Sequence, residues 1–134
     1  MRLLIDTSAY SAFLRRHAGV YDEMSRAEEL FVTPVVLGEL LAGFRKGNRY
    51  DANLDLMRRF LASPRARVLD VDEETADRYS VILDALRRRG APIPTNDLWI
   101  AASAMQHGLR LLTLDHHFRR LDQVAVSWYD PEEG

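Results

Sequence analysis

An α/β domain, with a mainly parallel five-stranded sheet between two layers of helices, is the fold class the sequence predicts. Five short apolar runs alternate with longer segments whose apolar residues recur at helical spacing, the pattern of a parallel sheet wound with crossover helices. The first run, Leu3-Leu4-Ile5, is apolar without alternation, as a strand covered on both faces is. The 134 residues show neither internal repeat nor linker and suffice for one core, so strands and helices are expected to form a single domain over 1–134.

The first strand ends at Asp6, after which Thr7 and Ser8 offer caps for a helix through Tyr10, Phe13 and Leu14. Arg15 to Gly19 reads as a polar exit with a turn, followed by a short helix over 21–27 and a strand, Leu30-Phe31-Val32. Thr33 as cap and Pro34 at the first helical position open a helix that carries Val35, Leu37, Leu40, Leu41 and Phe44, with Glu39 at mid-length. Gly43 and Gly47 soften its end. Asn48 is placed to cap a helix over 50–62, with Leu54, Met57, Phe60 and Leu61 inward and Arg58-Arg59 outward, stopped by Ser63-Pro64.

Val68-Leu69 with Val71 gives the third strand, and the acids Asp72-Glu73-Glu74 suit a helix start. That helix spans 73–89 with Ala76, Tyr79, Ile82, Leu83 and Leu86 on one face and Arg87 to Arg89 at its C-terminal end, closed by Gly90. Pro94 and Thr95, the latter as cap, start a helix carrying Asp97 in its first turn and Leu98, Ala101, Ala102 and Met105 inward, until Gly108. Leu109, Leu111 and Leu112 form a fourth strand reaching Thr113 and Asp115. Phe118 and Leu121 mark a short helical turn, 124–129 alternate as a last edge strand, and 130–134 are expected to fray.

Composition narrows the function classes. Apolar residues make up 47% and charged residues 28%, which sets aside disordered and fibrous classes. No apolar run approaches the roughly 18–20 residues that cross a bilayer, and Asp6 interrupts the only N-terminal apolar stretch, so a cytoplasmic location with no membrane association is expected. The absence of cysteine removes disulfides, thiolate metal sites and thiol nucleophiles. The net charge of −2 gives no whole-chain sign of nucleic-acid binding, although only Lys46 of the 18 basic residues is not arginine, and arginine suits phosphate contacts.

The acids carry the chemistry. In open parallel sheets functional groups gather beyond the carboxyl ends of the strands. Asp6 and Asp115 follow strands one and four, Asp97 begins the helix that leads into strand four, and Glu39 lies a turn and a half into the helix after strand two. Each alone is explained by capping, helix-dipole compensation or solvation. Together at one sheet edge they are not, because two unit charges 4 Å apart repel by about 4 kcal/mol at an effective dielectric near 20. Such a cluster takes up protons or a divalent cation, and oxygen-only ligands favour a hard ion, Mg²⁺ or Mn²⁺. His116 and His117 are not needed by an oxygen site, and adjacent side chains rarely point the same way; Trp99 is read as packing.

Leu4-Ile5-Asp6-Thr7-Ser8, Val36-Leu37-Gly38-Glu39-Leu40, Thr95-Asn96-Asp97-Leu98-Trp99-Ile100-Ala101-Ala102 and Leu112-Thr113-Leu114-Asp115-His116-His117-Phe118 resemble the four acidic motifs of PIN-domain nucleases. Their order and spacing are most similar to the VapC-type toxins of bacterial toxin–antitoxin modules, over nearly the whole chain. The resemblance implies a PIN-like three-layer fold, Asp6, Glu39, Asp97 and Asp115 as catalytic metal-binding acids, and Thr7, Asn96 and Thr113 as polar support. It also implies a metal-dependent endoribonuclease that leaves a 5′-phosphate and a 3′-hydroxyl, a cognate antitoxin that blocks the site, and a homodimer. Arg15, Arg16, Arg45, Lys46, Arg49 and Arg119 are candidates for contacts to the RNA backbone. Leu40, Leu41, Phe44, Leu54, Met57 and Phe60 are either core or a groove for a partner helix. Two alternatives stand beside this reading: phosphotransfer through Asp6, which lacks a second aspartate two positions on and a lysine after Asp115, and a non-catalytic binding module on the same fold.

Overall fold

In the computed structural model, which describes residues 1–133, the strands are β1 (Arg2–Ile5), β2 (Glu29–Val32), β3 (Ala66–Val68), β4 (Arg110–Thr113) and β5 (Val126–Trp128). The helices are α1 (Thr7–Leu14), α2 (Ala18–Arg26), α3 (Pro34–Lys46), α4 (Tyr50–Leu61), α5 (Glu73–Arg89) and α6 (Thr95–His107), with a 3₁₀ turn at His116–Arg120. All four strand pairings are parallel, in the order β3-β2-β1-β4-β5, and helices flank the sheet in the expected three layers.

This order fixes where a site can form. From the central β1 the chain winds through β2 and β3 to one side, then crosses to β4 and β5 on the other. The switch point lies between β1 and β4, and the crevice beyond their carboxyl ends is where such sheets bind ligands. Asp6 and Asp115 follow those two strands. Leu3, Leu4 and Ile5 are wholly buried, as are Leu111 and Leu112 opposite them, so the backbone that carries the acids is held in the most tightly covered part of the core.

Several boundaries differ from the sequence expectation, each for a local reason. Asp6 itself caps α1, accepting from Ala9 N at 2.8 Å, while Thr7 and Ser8 turn to other partners. α2 begins at Ala18, because His17 Nδ1 caps it by accepting from Val20 N; imidazole is outside the usual capping set. α4 starts after Arg49 with no side-chain cap, so Asn48 has no such role. β3 lies two residues early: Leu30 N bonds Arg65 O, which starts the ladder at Ala66 and leaves Val71 40% exposed outside it. Pro94 rather than Thr95 is the cap residue of α6, without a side-chain bond.

On α5 the residue turned inward near its start is Thr75, wholly buried, and Ala76 is exposed. Thr75 and Asp72 form a reciprocal capping box, and the Thr75 hydroxyl continues to Gln106 on α6, which a hydrophobic periodicity cannot register. Of the six apolar residues weighed as core or partner groove, Leu40 and Met57 are buried in the core, and Leu41, Phe44, Leu54 and Phe60 pack against it with part of their surface exposed. The tail is tied at its start, since His17 Nε2 lies 2.9 Å from the carbonyl of Asp130, and Tyr129 Oη donates to Glu23 Oε1 at 2.6 Å. Of the expected frayed segment, Gly134 lies outside the described residues.

Candidate metal centre

Four chain segments deliver the site to the β1–β4 crevice. Asp6 is buried and its oxygens are occupied: Oδ1 accepts from Ser8 Oγ at 2.7 Å and from Ala9 N, and Oδ2 accepts from the Thr113 hydroxyl. Thr113 Oγ1 accepts from Asp115 N at 2.9 Å, and Ser8 Oγ from Leu114 N at 3.0 Å. Two hydroxyls thus stitch the end of β1 to the end of β4 through Asp6. Glu39 is held by both oxygens, Oε1 by the Thr7 hydroxyl at 2.6 Å and Oε2 by Asn96 Nδ2 at 3.3 Å.

Asp97 enters from the first turn of α6 and Asp115 from the cap position of the 3₁₀ turn, where it accepts from His117 N at 2.9 Å. His117 joins them. Its Nδ1 is 3.2 Å from Asp97 Oδ2 and 3.0 Å from Asp115 Oδ1, and one ligand atom from each of the three residues lies within 4.8 Å of the others. The 3₁₀ turn sets His117 against both acids and leaves its neighbour His116 exposed. The His116 and His117 rings are 4.7 Å apart, and the His116 nitrogen stands 4.0 Å from Asp115. The sequence signal available for His117 was its place two residues after Asp115, within reach of the capping carboxylate.

Burial and like charge together disfavour ionisation of the acids at this edge. Burial pushes the Asp97 carboxyl up to about 6, and the neighbouring Asp115 and Glu39 push the same way; the His117 hydrogen bond and charge oppose them. Asp6 is also raised, chiefly by burial and slightly by Asp115, against the hydrogen bonds of Thr113, Ser8 and Ala9. His117 Nδ1 lies near 3 Å from one oxygen of each carboxylate, at the point where the three residues converge. A divalent cation fits that point, because it satisfies the same oxygens and offsets the burial that chiefly raises Asp97 together with the repulsion from Asp115 and Glu39.

The geometry does not favour Asp6 as a phosphoryl acceptor, since it is 4% exposed and all its hydrogen bonds are taken within the chain. The basic candidates separate. Arg15 and Arg16 lie past the far end of α1, and Arg45 and Lys46 at the far end of α3; Arg49 precedes α4. Only Arg119 shares a segment with the acids. Among the described residues none of the six has a carboxylate within 4.0 Å, whereas Arg26, Arg59, Arg78 and Arg88 each pair with an acid one helical turn away.

Residues 3–124 match the PIN domain family. Ribonuclease VapC4 of Mycobacterium tuberculosis is 30% identical over 126 residues, covering 93% of this chain and 95% of that protein. Among solved structures, VapBC2 from Rickettsia felis, bound to a DNA fragment from its promoter, superposes with a TM-score of 0.85 over 97% of this chain and 100% of the other at 22% identity, which speaks to the fold. VapBC-5, a toxin–antitoxin system of M. tuberculosis, superposes with a TM-score of 0.74 at 26% identity, covering 96% and 98%. Asp97, Asp115 and His117 converge at the carboxyl edge of a sheet of this topology, and the family match spans all four acids: the chain belongs to the PIN domain family and is similar over nearly its whole length to the VapC ribonucleases.

Proposed function

We propose that this chain is a metal-dependent endoribonuclease, the toxin of a toxin–antitoxin pair. The observation that carries the reading is the convergence of Asp97, Asp115 and His117 within 4.8 Å, flanked by Asp6 and Glu39, in a PIN domain similar to VapC ribonucleases. Asp97 and Asp115 would hold Mg²⁺ or Mn²⁺, with Glu39 and Asp6 completing the acidic wall and His117 within reach of the same point. When bound, such an ion supplies a water of lowered pKa and charge stabilisation on the phosphate.

The chain's own groups set the geometry. Thr7 and Asn96 fix both oxygens of Glu39, leaving its remaining lone pairs to take a proton from water. Thr113 and Ser8 both hold Asp6, and they also fix the backbone N–H groups of Asp115 and Leu114 respectively. No side chain serves as a covalent nucleophile, and cleavage leaves a 5′-phosphate and a 3′-hydroxyl. An antitoxin partner is supported by the likeness to the VapBC-5 toxin–antitoxin system, and a homodimer remains part of the proposal on family grounds. No helix among the described residues is long and apolar enough to cross a membrane.

The test incubates the purified protein, freed of any co-purifying antitoxin, with a mixed RNA pool under Mg²⁺, Mn²⁺ or chelator, beside Asp97→Asn. Metal-dependent cleavage by wild type alone supports the reading. Equal cleavage by wild type and mutant, or none by either, overturns it.

A further inference from the structure

Beside the acidic site lies a second feature. The register pairs Trp128 with Thr113, the residue that bonds Asp6, and Tyr129 N bonds Thr113 O, so Trp128 stands one strand away from the acids at the same carboxyl edge. Over its ring, 4.5 Å from the centroid, sits the guanidinium of Arg119, two residues past His117 on the 3₁₀ turn. Arg119 is exposed and has no carboxylate within 4.0 Å among the described residues. Phe118, Leu121, Val124 and Val126 close a hollow of about 300 Å³ with these two side chains.

The pieces have one chemistry in common. An unpaired guanidinium takes a phosphate, a guanidinium or indole plane takes a base face, and a small apolar hollow takes a flat ring but not an extended helix. We infer that Arg119 and Trp128 form a nucleotide subsite that seats one unpaired base of single-stranded RNA in this hollow, with its phosphate on the guanidinium, next to the scissile position. The inference rests on the nuclease reading for its role in cleavage but not for binding. Arg119 and Trp128 are binding residues here and take no part in the chemistry.

The experiment follows binding without cleavage. A short mixed-sequence single-stranded RNA is titrated into the full chain under chelator while tryptophan fluorescence is read, in wild type, Arg119→Ala and Trp128→Phe. Inorganic polyphosphate serves as the base-free control. Arg119 is exposed, so its replacement leaves the fold intact, and Trp128→Phe keeps a ring in place of the indole. The subsite predicts saturable quenching by RNA and not by polyphosphate, absent from Trp128→Phe, and binding weaker by about tenfold in Arg119→Ala, the scale of one stacked base. With metal restored, Arg119→Ala should raise KM with little change in kcat and flatten base preference at one position. Quenching by polyphosphate as strong as by RNA, equal RNA affinity in Arg119→Ala, no quenching in wild type, or a signal given only by an antitoxin peptide overturns the subsite. Cleavage abolished by Asp97→Asn but indifferent to Arg119→Ala would overturn it while leaving the nuclease standing. Saturable quenching from a protein that never cleaves would uphold it after the nuclease reading has fallen.

Discussion

His117 Nδ1 stands 3.2 Å from Asp97 Oδ2, so this imidazole opposes the burial that raises that carboxyl. Removing it should weaken the site and leave the fold. We expect His117→Ala to lower Mn²⁺ affinity by about tenfold to a hundredfold, the range seen for groups that orient or supplement ligands, measured by calorimetric titration. The pH at which Asp97 ionises should also rise, since both His117 contributions lower it. Unchanged affinity would remove His117 from the site.

Asp97 gives a pH dependence of defined sign. Its carboxyl is raised from 3.8 to about 6, so the folded state favours the protonated form. In metal-free protein its contribution to stability is full below about pH 4 and lost as pH rises through about 6, amounting to at most about 3 kcal/mol. The check is urea unfolding under chelator across that window, taken as the difference between wild type and Asp97→Asn. A divalent cation should restore stability above pH 6, and cleavage should fall as pH drops below 6. A difference that grows with pH in the absence of metal contradicts the assignment.

Thr113→Val removes the hydroxyl that joins Asp6 to the Asp115 backbone while keeping side-chain volume. It should cost about 1–3 kcal/mol in unfolding free energy, because a buried carboxylate oxygen loses its partner, and it should reduce cleavage. Thr113→Ser should recover most of both. Activity lost without any recovery by serine would argue against the hydroxyl as the cause.

Gly19 and Tyr129 form a contact that tolerates no added atom: a Cβ at Gly19 would come 2.5 Å from the tyrosine ring. Gly19→Ala should destabilise by about 1–3 kcal/mol through overpacking. The loss should shrink in a Tyr129→Ala background, so a thermal-melt double-mutant cycle reads the coupling directly. Tyr129→Phe should also cost about 1 kcal/mol or more, since Glu23 Oε2 already lacks a partner and Oε1 would lose its own.

Legibility in the sequence followed the physics of each feature. β1 and β4 were readable because strands buried on both faces are apolar throughout, and α3 because Thr33 and Pro34 make an unambiguous start. The acids were readable as a set through strand ends and a known motif order. What was hidden depended on tertiary partners. His17 as a cap, Thr75 as an inward residue bonded to Gln106, and the turn of His117 onto Asp97 leave no periodic trace. The same holds for Ser8, which looked like a cap and instead bridges β1 to the Leu114 backbone.

The bond between Asp6 and Thr113 closes a loop of 107 positions, and β2 and β3 lie in the chain between the two strands that carry it, β1 and β4. Loops of that span form late and slowly. A chain that stops short of β4, or one cut between these residues and released from its other half, lacks at least one of the acids and has no assembled site. The acidic cluster is therefore a property of the finished fold alone.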